Sequence, residues 1–341
     1  MATTDIQTFG SGGSGSPNVL TQSAYVAYLA TLTGNSFANG ATPSAQQLNK
    51  IIRQPSFVAA AIANALVNAG ISVPDDGNVG VLAANIAKAF TTGVVGDHRD
   101  LAMTVAAASA TAILTATELV VESALGGQAF KLASFSQSVN LATTGAGGMD
   151  TGTAPVSGFV ALYAIYNPTT ATSALLAVNA TSAAAPEVYG GANMPAGYTM
   201  SALVSIWPTN ASGQFVIGNQ RGRNISITPL TLLNTTSPPI TYTSLSLVGS
   251  LPYNAKSIFG SLVFSTTDTA ASYNGAYIAA DSNGTNRQSV AGSQTSPNVQ
   301  FGSQDNFSLN LINMTIYYLF FFGAGSITTA NVQIIATGYS I

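Results

Sequence analysis

The only histidine of the chain lies in the segment Asp97–Asp100, where acidic and basic side chains flank an imidazole. An imidazole titrates near neutral pH, so His98 oriented by a neighbouring carboxylate could act as a general base. No serine elbow stands near it, and the sequence contains no cysteine to serve as a nucleophile. We therefore interpret residues 94–100 as a solvated hinge rather than as a catalytic site.

Paired carboxylates are the second candidate chemistry, because two facing acidic groups can hydrolyse glycosidic bonds as acid and base. Glu118 and Glu122 are four residues apart, a spacing that many exposed pairs share. The remaining candidates are isolated among Ser, Thr and Asn: Glu187, Asp268, Asp281 and Asp305. A buried acidic pair stays open as an alternative, but the sequence predicts that the protein is not an enzyme.

Two short motifs could bind ions. The segment Asp281–Thr285 begins like a calcium loop, but Gly292 stands where the closing acidic ligand belongs, so an Asx turn is the prediction. Arg221 and Arg223 form the densest basic spot, and two guanidinium groups at one turn could clamp a phosphate group of a ligand. The favoured interpretation of this pair is a solvated turn or a subunit ion pair, with ligand binding as the alternative. No cofactor and no metal are predicted.

The largest aromatic cluster is a single run near the end of the sequence. Its candidate buried or interface aromatic residues are Tyr317, Tyr318, Phe320, Phe321 and Phe322. A strand that is apolar on both faces needs cover on both sides. The run is therefore interpreted as a central core strand, with a strand buried between subunits as the alternative. Left exposed, it would promote aggregation.

The composition restricts the class of protein. Charged residues make up 6% of the 341 positions, against about 25% in typical soluble domains. A net charge of −3 is too small to attract nucleic acid or an anionic membrane. The run Leu101–Thr117 is uncharged, but it is rich in Ala, Ser and Thr and is followed by Glu118 and Glu122, so no membrane insertion is predicted. A neutral, cysteine-free surface suits identical chains that pack tightly about a symmetry axis.

The elements that must position these residues fall into two parts. Residues 1–17 are rich in Gly and Ser and predict a flexible arm. Residues 18–93 show helical periodicity, with Thr42 before Pro43 or Ser44 with Gln47 as helix openings. In the same part, Pro55 predicts a break or kink, and Gly70 a left-handed cap. Residues 101–341 contain about twelve short strand patterns. The predicted fold class is α+β, mainly β: a small N-terminal helical module followed by a large antiparallel β-sandwich or jelly-roll-like domain.

Eight strings in the first two thirds of the chain resemble a family of phage and prophage tail-fibre-type proteins of Gram-negative hosts. These strings are Leu20–Tyr25, Gln47–Gln54, Asp75–Gly77, Leu125–Gly127, Leu141–Asp150, Tyr163–Pro168, Ala185–Tyr198 and Trp207–Asn210. The resemblance covers most of residues 18–220 and fades from about Asn224 onward, where a host-recognition surface would be expected to vary.

The resemblance implies a structural component of a bacteriophage virion, a homotrimeric tail fibre or fibre-like appendage that contributes to attachment to the host surface. Its expected partners are its own copies, other virion proteins through the N-terminal module, and a host surface glycan, with no nucleic acid. The expected location is the virion, assembled in the host cytoplasm. The alternatives are a head fibre or capsid decoration protein and a glycan-degrading receptor-binding protein.

Overall fold

A computed structural model describes residues 20–30, 44–89, 93–323 and 325–341. The chain divides into two units, Met1–Thr92 and Gly93–Ile341, called here the helical unit and the β unit. The fold is mainly antiparallel β, with 48% strand and 13% helix. This confirms the predicted class of a small helical module followed by a large β-sandwich. The predicted arm, residues 1–17, lies outside the described residues.

The described part of the helical unit contains three helices: α1 (Gln22–Leu29), α2 (Ala45–Asn68) and α3 (Val79–Ala89). A capping box begins α2. The Gln47 N–H donates to the Ser44 hydroxyl (3.2 Å), and the Ser44 N–H donates to Gln47 Oε1 (2.7 Å). This is one of the two helix openings that the sequence offers. The other, at Thr42 and Pro43, lies outside the described residues.

The predicted break at Pro55 does not occur, because α2 continues through the proline. A proline removes one N–H donor and disfavours helix at the residue before it. This cost is local, whereas α2 is 24 residues long and buries Ala63 and Leu66 beyond the proline. The Ser56 hydroxyl also donates to the Arg53 carbonyl (3.0 Å) within the same turn. The hydrogen bonds and buried side chains of the rest of α2 therefore outweigh the cost of the proline.

The end of α2 is a Schellman motif centred on Gly70, which has φ +81°. The Ile71 N–H donates to the Leu66 carbonyl, and the Gly70 N–H donates to the Val67 carbonyl, both at 2.9 Å. The predicted left-handed cap is therefore confirmed. A small cluster packs α2 against α3: Ala63, Leu66, Val73, Leu82 and Ile86.

The described part of the β unit contains sixteen strands, paired antiparallel in two sheets. In chain order they are β1 (His98–Arg99), β2 (Ala102–Val105), β3 (Thr111–Glu122), β4 (Ala129–Asn140), β5 (Phe159–Asn167), β6 (Thr172–Asn179), β7 (Met200–Pro208), β8 (Gly218–Arg221), β9 (Asn224–Thr235), β10 (Thr243–Ser246), β11 (Ser257–Asp268), β12 (Ser272–Ala279), β13 (Gln288–Gln294), β14 (Phe301–Asn310), β15 (Thr315–Phe322) and β16 (Ile327–Ser340).

The larger sheet has twelve strands in the order β14-β11-β16-β9-β8-β2-β3-β7-β5-β6, with β1 and β4 also paired to β3. The smaller sheet has the order β10-β15-β12-β13. The two sheets share one core cluster, in which Phe264 of β11 lies 6.3 Å from Phe320 of β15 between ring centroids. This face-to-face packing makes the β unit a sandwich.

Strands β5 and β7 lie inside the larger sheet and are buried on both faces. One face belongs to the shared core. The other face, which includes Tyr163, Ile165 and Leu203, is covered by residues 180–199 through Ala185 and Tyr189, among others. This covering segment follows β6 and returns the chain to β7, and it carries most of the candidate site described below.

The segment predicted as a hinge, residues 94–100, belongs to the β unit. The Gly96 N–H donates to the Val120 carbonyl (2.9 Å), and His98 pairs with Leu119 in β3. The neutral run Leu101–Thr117 forms β2 and the first half of β3. Within the described ranges, no helix is long and apolar enough to span a membrane.

Candidate functional site

The first candidate site is the outward side of the four-stranded sheet, called here the outer aromatic face. It consists of Tyr273, Tyr277, Tyr317, Leu319 and Phe321. Alternate residues of a strand point to opposite faces. Because Ala276, Ile278, Tyr318 and Phe320 enter the shared core, these five neighbours lie on the opposite side. All five keep part of their surface exposed, and Tyr273 is 56% exposed.

The aromatic run Tyr317–Phe322 is β15, a strand between β10 and β12 in the sheet. The sequence predicted correctly that this strand lies inside a sheet. The prediction that the chain itself covers both faces of the strand was wrong. Tyr318 and Phe320 are buried, whereas Tyr317 and Phe321 are half-buried on the outer aromatic face, and Phe322 is 44% exposed. The β pleat therefore divides one apolar run between a core and a surface.

The rings of the outer aromatic face pack against one another. Phe321 lies over Gly275 of the neighbouring strand, where a Cβ would meet its ring. Its centroid lies 4.6 Å from that of Tyr277 and 5.8 Å from that of Tyr273. The Arg287 guanidinium stacks over Tyr277, 4.4 Å from the ring centroid, in a cation–π contact. The result is a continuous aromatic surface with one positive charge at its margin.

The second candidate site is a pocket of about 330 Å³ beside the covering segment, called here the Tyr189 pocket. Its lining consists of Asp150, Tyr163, Val178–Ala180, Ala183–Pro186 and Tyr189–Gly191. The mixture of apolar walls and a few polar groups is typical of ligand pockets. This pocket lies entirely within the β unit.

Buried polar side chains hold the wall of the Tyr189 pocket in place. The Asn254 side chain pairs with both backbone groups of Ala185: it donates to the carbonyl (2.8 Å) and accepts from the N–H (2.7 Å). Further along, the Tyr189 N–H donates to the hydroxyl of the buried Ser201 on β7 (2.9 Å). These bonds tether the covering segment at two points, so the pocket wall is preformed.

Two hydrogen bonds fix the tyrosine hydroxyls of the pocket. The Tyr189 hydroxyl donates to Asp150 Oδ2 (3.0 Å), and the Tyr163 hydroxyl donates to the Pro186 carbonyl (2.7 Å). The two tyrosine rings meet edge to face, with centroids 5.5 Å apart. Burial raises the pKa of Tyr163 well above its usual value, and the negative charges of Glu187 and Asp150 raise it further. Burial also raises the pKa of Tyr189, so both hydroxyls stay protonated donors.

The predicted basic pair does not form one clamp. Arg221 and Arg223 flank the turn at Gly222, but their side chains have different surroundings. Arg221 is exposed and lines a shallow polar depression together with Asp100. Arg223 is half-buried, and its Nη2 lies 3.6 Å from Glu187 Oε2. Because Arg223 is paired with a carboxylate of the same chain and Arg221 is not, the two guanidinium groups do not share one environment.

His98 has a structural environment. Its Nδ1 lies 2.8 Å from the Gly96 carbonyl oxygen, which can only accept, so Nδ1 carries the proton. Its Nε2 faces the turn at Gly222. The neighbouring Asp100 carboxylate accepts from the Thr117 hydroxyl (2.9 Å) and helps to tie this segment to β3. His98 therefore lies in a strand of the sheet rather than in a hinge.

The predicted acidic candidates are distributed over the β unit. Glu118 and Glu122 are four residues apart on the extended strand β3, roughly 13 Å along the strand. Glycosidase pairs require about 5 to 9.5 Å, so this pair is too far apart to hydrolyse a glycoside. Asp305 lies on the exposed side of β14, and Asp281 accepts from the Asn283 and Thr285 N–H groups (2.9 and 3.0 Å) in the predicted Asx turn.

Asp268 is the most deeply buried acidic residue of the β unit. Its carboxylate accepts hydrogen bonds from Ser272 and Asn274, and its N–H donates to Gln294 Oε1 (3.0 Å). These groups join the ends of β11, β12 and β13 in a polar cluster. In the described parts of the chain, no group of three or more His, Asp or Glu side chains is placed to hold a metal ion.

Sequence reasoning did not select the residues of the Tyr189 pocket. Asp150, Tyr163 and Tyr189 are separated along the chain, and Asn254 lies still further away. A signal was nevertheless present, because the first three fall within the strings Leu141–Asp150, Tyr163–Pro168 and Ala185–Tyr198. These strings are unusual in sequence, and the fold brings them together around one pocket.

The comparisons with known proteins do not assign the chain to a family. No protein-family model and no curated protein matches the chain. Among solved structures, the chain is similar to infectious bursal disease virus, Gx strain, at 9% identity and TM-score 0.22, over 72% of this chain and 69% of that chain. It is also similar to two Bacillus thuringiensis proteins, a Cry1Da tryptic core variant (8% identity, TM-score 0.18, 76% and 54% of the two chains) and the insecticidal delta-endotoxin Cry8Ea1 (7%, 0.18, 75% and 55%). The chain thus spans little more than half of either toxin. Similarities this weak carry no argument about function.

Proposed function

We propose that this protein is a non-enzymatic structural component of a bacteriophage virion, a homotrimeric tail fibre or fibre-like appendage that contributes to attachment to the host surface. The outer aromatic face carries the proposal. Tyr273, Tyr277 and Phe321 expose aromatic surface on a sheet whose other side is packed in the core. Contiguous exposed apolar patches mark interaction sites, so this face is the contact between copies.

Two further features support the proposal. The chain is 6% charged with a net charge of −3, so copies can approach one another without strong like-charge repulsion. In the helical unit, α2 exposes large apolar side chains that suit contact with other particle proteins: Leu48, Ile52, Phe57, Val58 and Ile62. The strings that resemble phage tail-fibre proteins support the same class.

Native mass in solution tests the assembly. Light scattering at micromolar concentration should give three times the chain mass of 34.5 kDa. Replacement Tyr273→Lys should reduce the mass to that of one chain, because three like charges would be desolvated together in the contact. Tyr253→Lys is the matched control, since Tyr253 is partly exposed but lies outside the outer aromatic face.

A wild-type mass other than three chains contradicts the homotrimer. A Tyr273→Lys variant that stays trimeric contradicts the assignment of the contact to the outer aromatic face. Circular dichroism of both variants shows whether the chain has remained folded, so loss of assembly and loss of folding are separated.

Immunolabelling tests the place in the particle. An antibody raised against the purified chain should label the tail appendages of phage particles in electron micrographs. Label on the head would favour the head-fibre alternative, and particles without label would contradict a virion component altogether.

A further inference from the structure

The lining of the Tyr189 pocket indicates what kind of molecule it can hold. Most of the wall is apolar, formed by small residues from Ala183 to Pro186 and by the rings of Tyr163 and Tyr189. The polar side-chain groups are few: the Asp150 carboxylate, the Tyr163 and Tyr189 hydroxyls and the Asn179 amide. A fitting ligand therefore combines an apolar face with several hydrogen-bonding groups.

The charge of the pocket selects among such ligands. Asp150 is acidic, and no lining residue is a cation. Arg223, the basic group that contacts the covering segment, is paired there with Glu187. A carboxylate or phosphate on the ligand would thus meet negative charge without a partner, which costs free energy. Hydroxyl groups, in contrast, can donate to the Asp150 carboxylate.

Asp150 retains the capacity to accept more bonds. Its Oδ1 accepts from the Thr151 N–H (2.8 Å) and its Oδ2 from the Tyr189 hydroxyl. An ionised carboxylate has about four acceptor positions, so about two are left for a ligand. The residue is also held in place, because the Asp150 N–H donates to the carbonyl of Ala177 in β6 (2.7 Å). A positioned acceptor of this kind gives directional recognition.

The size of the pocket is consistent with a small ligand. A volume of about 330 Å³ lies at the lower end of the range for ligand pockets, roughly 300 to 1,000 Å³. Several of the lining residues, among them Ala183, Pro186 and Gly190, are exposed, so the pocket opens to solvent. An end of a longer chain can enter it while the remainder stays outside.

From these observations we infer that the Tyr189 pocket binds the terminal unit of a neutral saccharide. The Asp150 carboxylate accepts hydrogen bonds from its hydroxyl groups, while Tyr189 and the wall from Ala183 to Pro186 contact its apolar face. This inference rests on the proposed function for its biological setting, since it gives the host-surface contact a site and a ligand class. Three copies on one particle appendage would multiply a weak single-site affinity.

Saturation-transfer NMR on the full chain tests the inference. The probes are the methyl glycosides of glucose, galactose, mannose, rhamnose, N-acetylglucosamine and N-acetylgalactosamine, with galacturonic acid and N-acetylneuraminic acid as acidic counterparts. At least one neutral glycoside should bind, with Kd on the order of millimolar because few groups contribute. The acidic sugars should bind at least about tenfold more weakly, as one unfavourable charge contact implies.

Three variants locate the binding. Asp150→Asn keeps the side-chain shape but removes the charge, and Tyr189→Phe removes the hydroxyl that donates to Asp150 and positions its carboxylate. Each should weaken binding by about tenfold. Tyr198→Phe is the control, because Tyr198 belongs to the covering segment and packs on the same cluster but does not line the pocket. Thermal melts establish that each variant is folded, and either pocket variant alone suffices for the test.

Absence of binding to every neutral glycoside would overturn the inference, as would equal binding of the acidic sugars or unchanged affinity in both pocket variants. The native mass of the same sample separates this result from the proposed function. A trimer that binds no neutral sugar contradicts the pocket inference alone. A monomer that binds sugar through Asp150 contradicts the proposed assembly alone.

Discussion

Strands β5 and β15 have a similar residue composition but different surroundings. Both are runs of apolar and aromatic residues, Phe159–Asn167 and Thr315–Phe322, and both lie between two partner strands. All nine residues of β5 are buried, whereas β15 keeps Tyr317 and Phe321 half-exposed. The difference arises outside the strands, because residues 180–199 cover β5. An apolar strand therefore does not reveal from its own sequence whether its second face belongs to the chain's core or to an interface.

The largest expected effect is on stability at the covered face. Tyr163→Ala should lower the free energy of unfolding by about 3 to 5 kcal/mol, because Tyr163 is 1% exposed and the change leaves a cavity. Tyr273→Ala on the outer aromatic face should cost less than about 1 kcal/mol at protein concentrations where the chain is monomeric. Urea unfolding at several protein concentrations measures both. A similar loss at both positions, independent of concentration, would remove the distinction between the two faces.

A smaller effect is expected from loosening the cover. Asn254→Ala leaves the N–H and carbonyl of Ala185 without their partner, which should cost about 1 to 3 kcal/mol. Backbone hydrogen exchange should increase from residue 183 to residue 191. Asn234→Ala is the control, because its side chain accepts from Asn331 in an exposed pair (2.8 Å), and it should change stability by less than about 0.5 kcal/mol. Unchanged exchange in the Asn254 variant would show that other contacts suffice to hold the cover.

Two adjacent glycines allow a finer test of the same cover. A Cβ at Gly191 would collide with the end of the Tyr189 ring, whereas a Cβ at Gly190 would meet nothing within 4 Å. Gly191→Ala should therefore cost about 1 kcal/mol by overpacking, and it should weaken saccharide binding as Tyr189 shifts. Gly190→Ala should be neutral or slightly stabilising. Thermal melts compare the two variants, and a reversed order would contradict the described ring position.

The smallest expected effect is the pH dependence of stability that arises from Asp281. Hydrogen bonds from the side chain and backbone of Thr285 lower the pKa of Asp281 below its usual 3.8. A carboxyl group with a depressed folded-state pKa stabilises the fold above 3.8, and this contribution is lost as the pH falls through the folded-state value. Asp281→Asn should abolish that acid sensitivity. The melting temperatures of the wild-type protein and the variant should differ at neutral pH and converge as the pH falls below 3.8. A difference that stays constant with pH would contradict the role of the turn.

Much of the fold was predictable from local pattern. The aromatic run Tyr317–Phe322 was predicted as a strand and lies in β15, because it is dense in apolar and aromatic residues. The sequence predicted about twelve strands, fewer than the sixteen that the structure describes, since β2 and the first part of β3 are rich in Ala, Ser and Thr.

The Tyr189 pocket was not predictable in the same way. The hydrogen bond between Tyr189 and Asp150 joins residues 39 positions apart, and the bonds between Ala185 and Asn254 join residues 69 apart. Such contacts depend on tertiary packing and leave no periodic signal. The same holds for Arg221 and Arg223, which are close in sequence but enter different environments after the hairpin turn.

The position of β16 has a consequence for biosynthesis. It lies between β9 and β11, although it follows both in the chain, and Ser340 pairs with Ser257 on one side and with Asn224 on the other. A nascent polypeptide that has left the ribosome only as far as β15 therefore presents two unpaired strand edges. Such edges readily join those of other chains. This half of the sandwich can close only after translation has passed Ser340, so slow synthesis or a premature stop near residue 326 should send the product into aggregates.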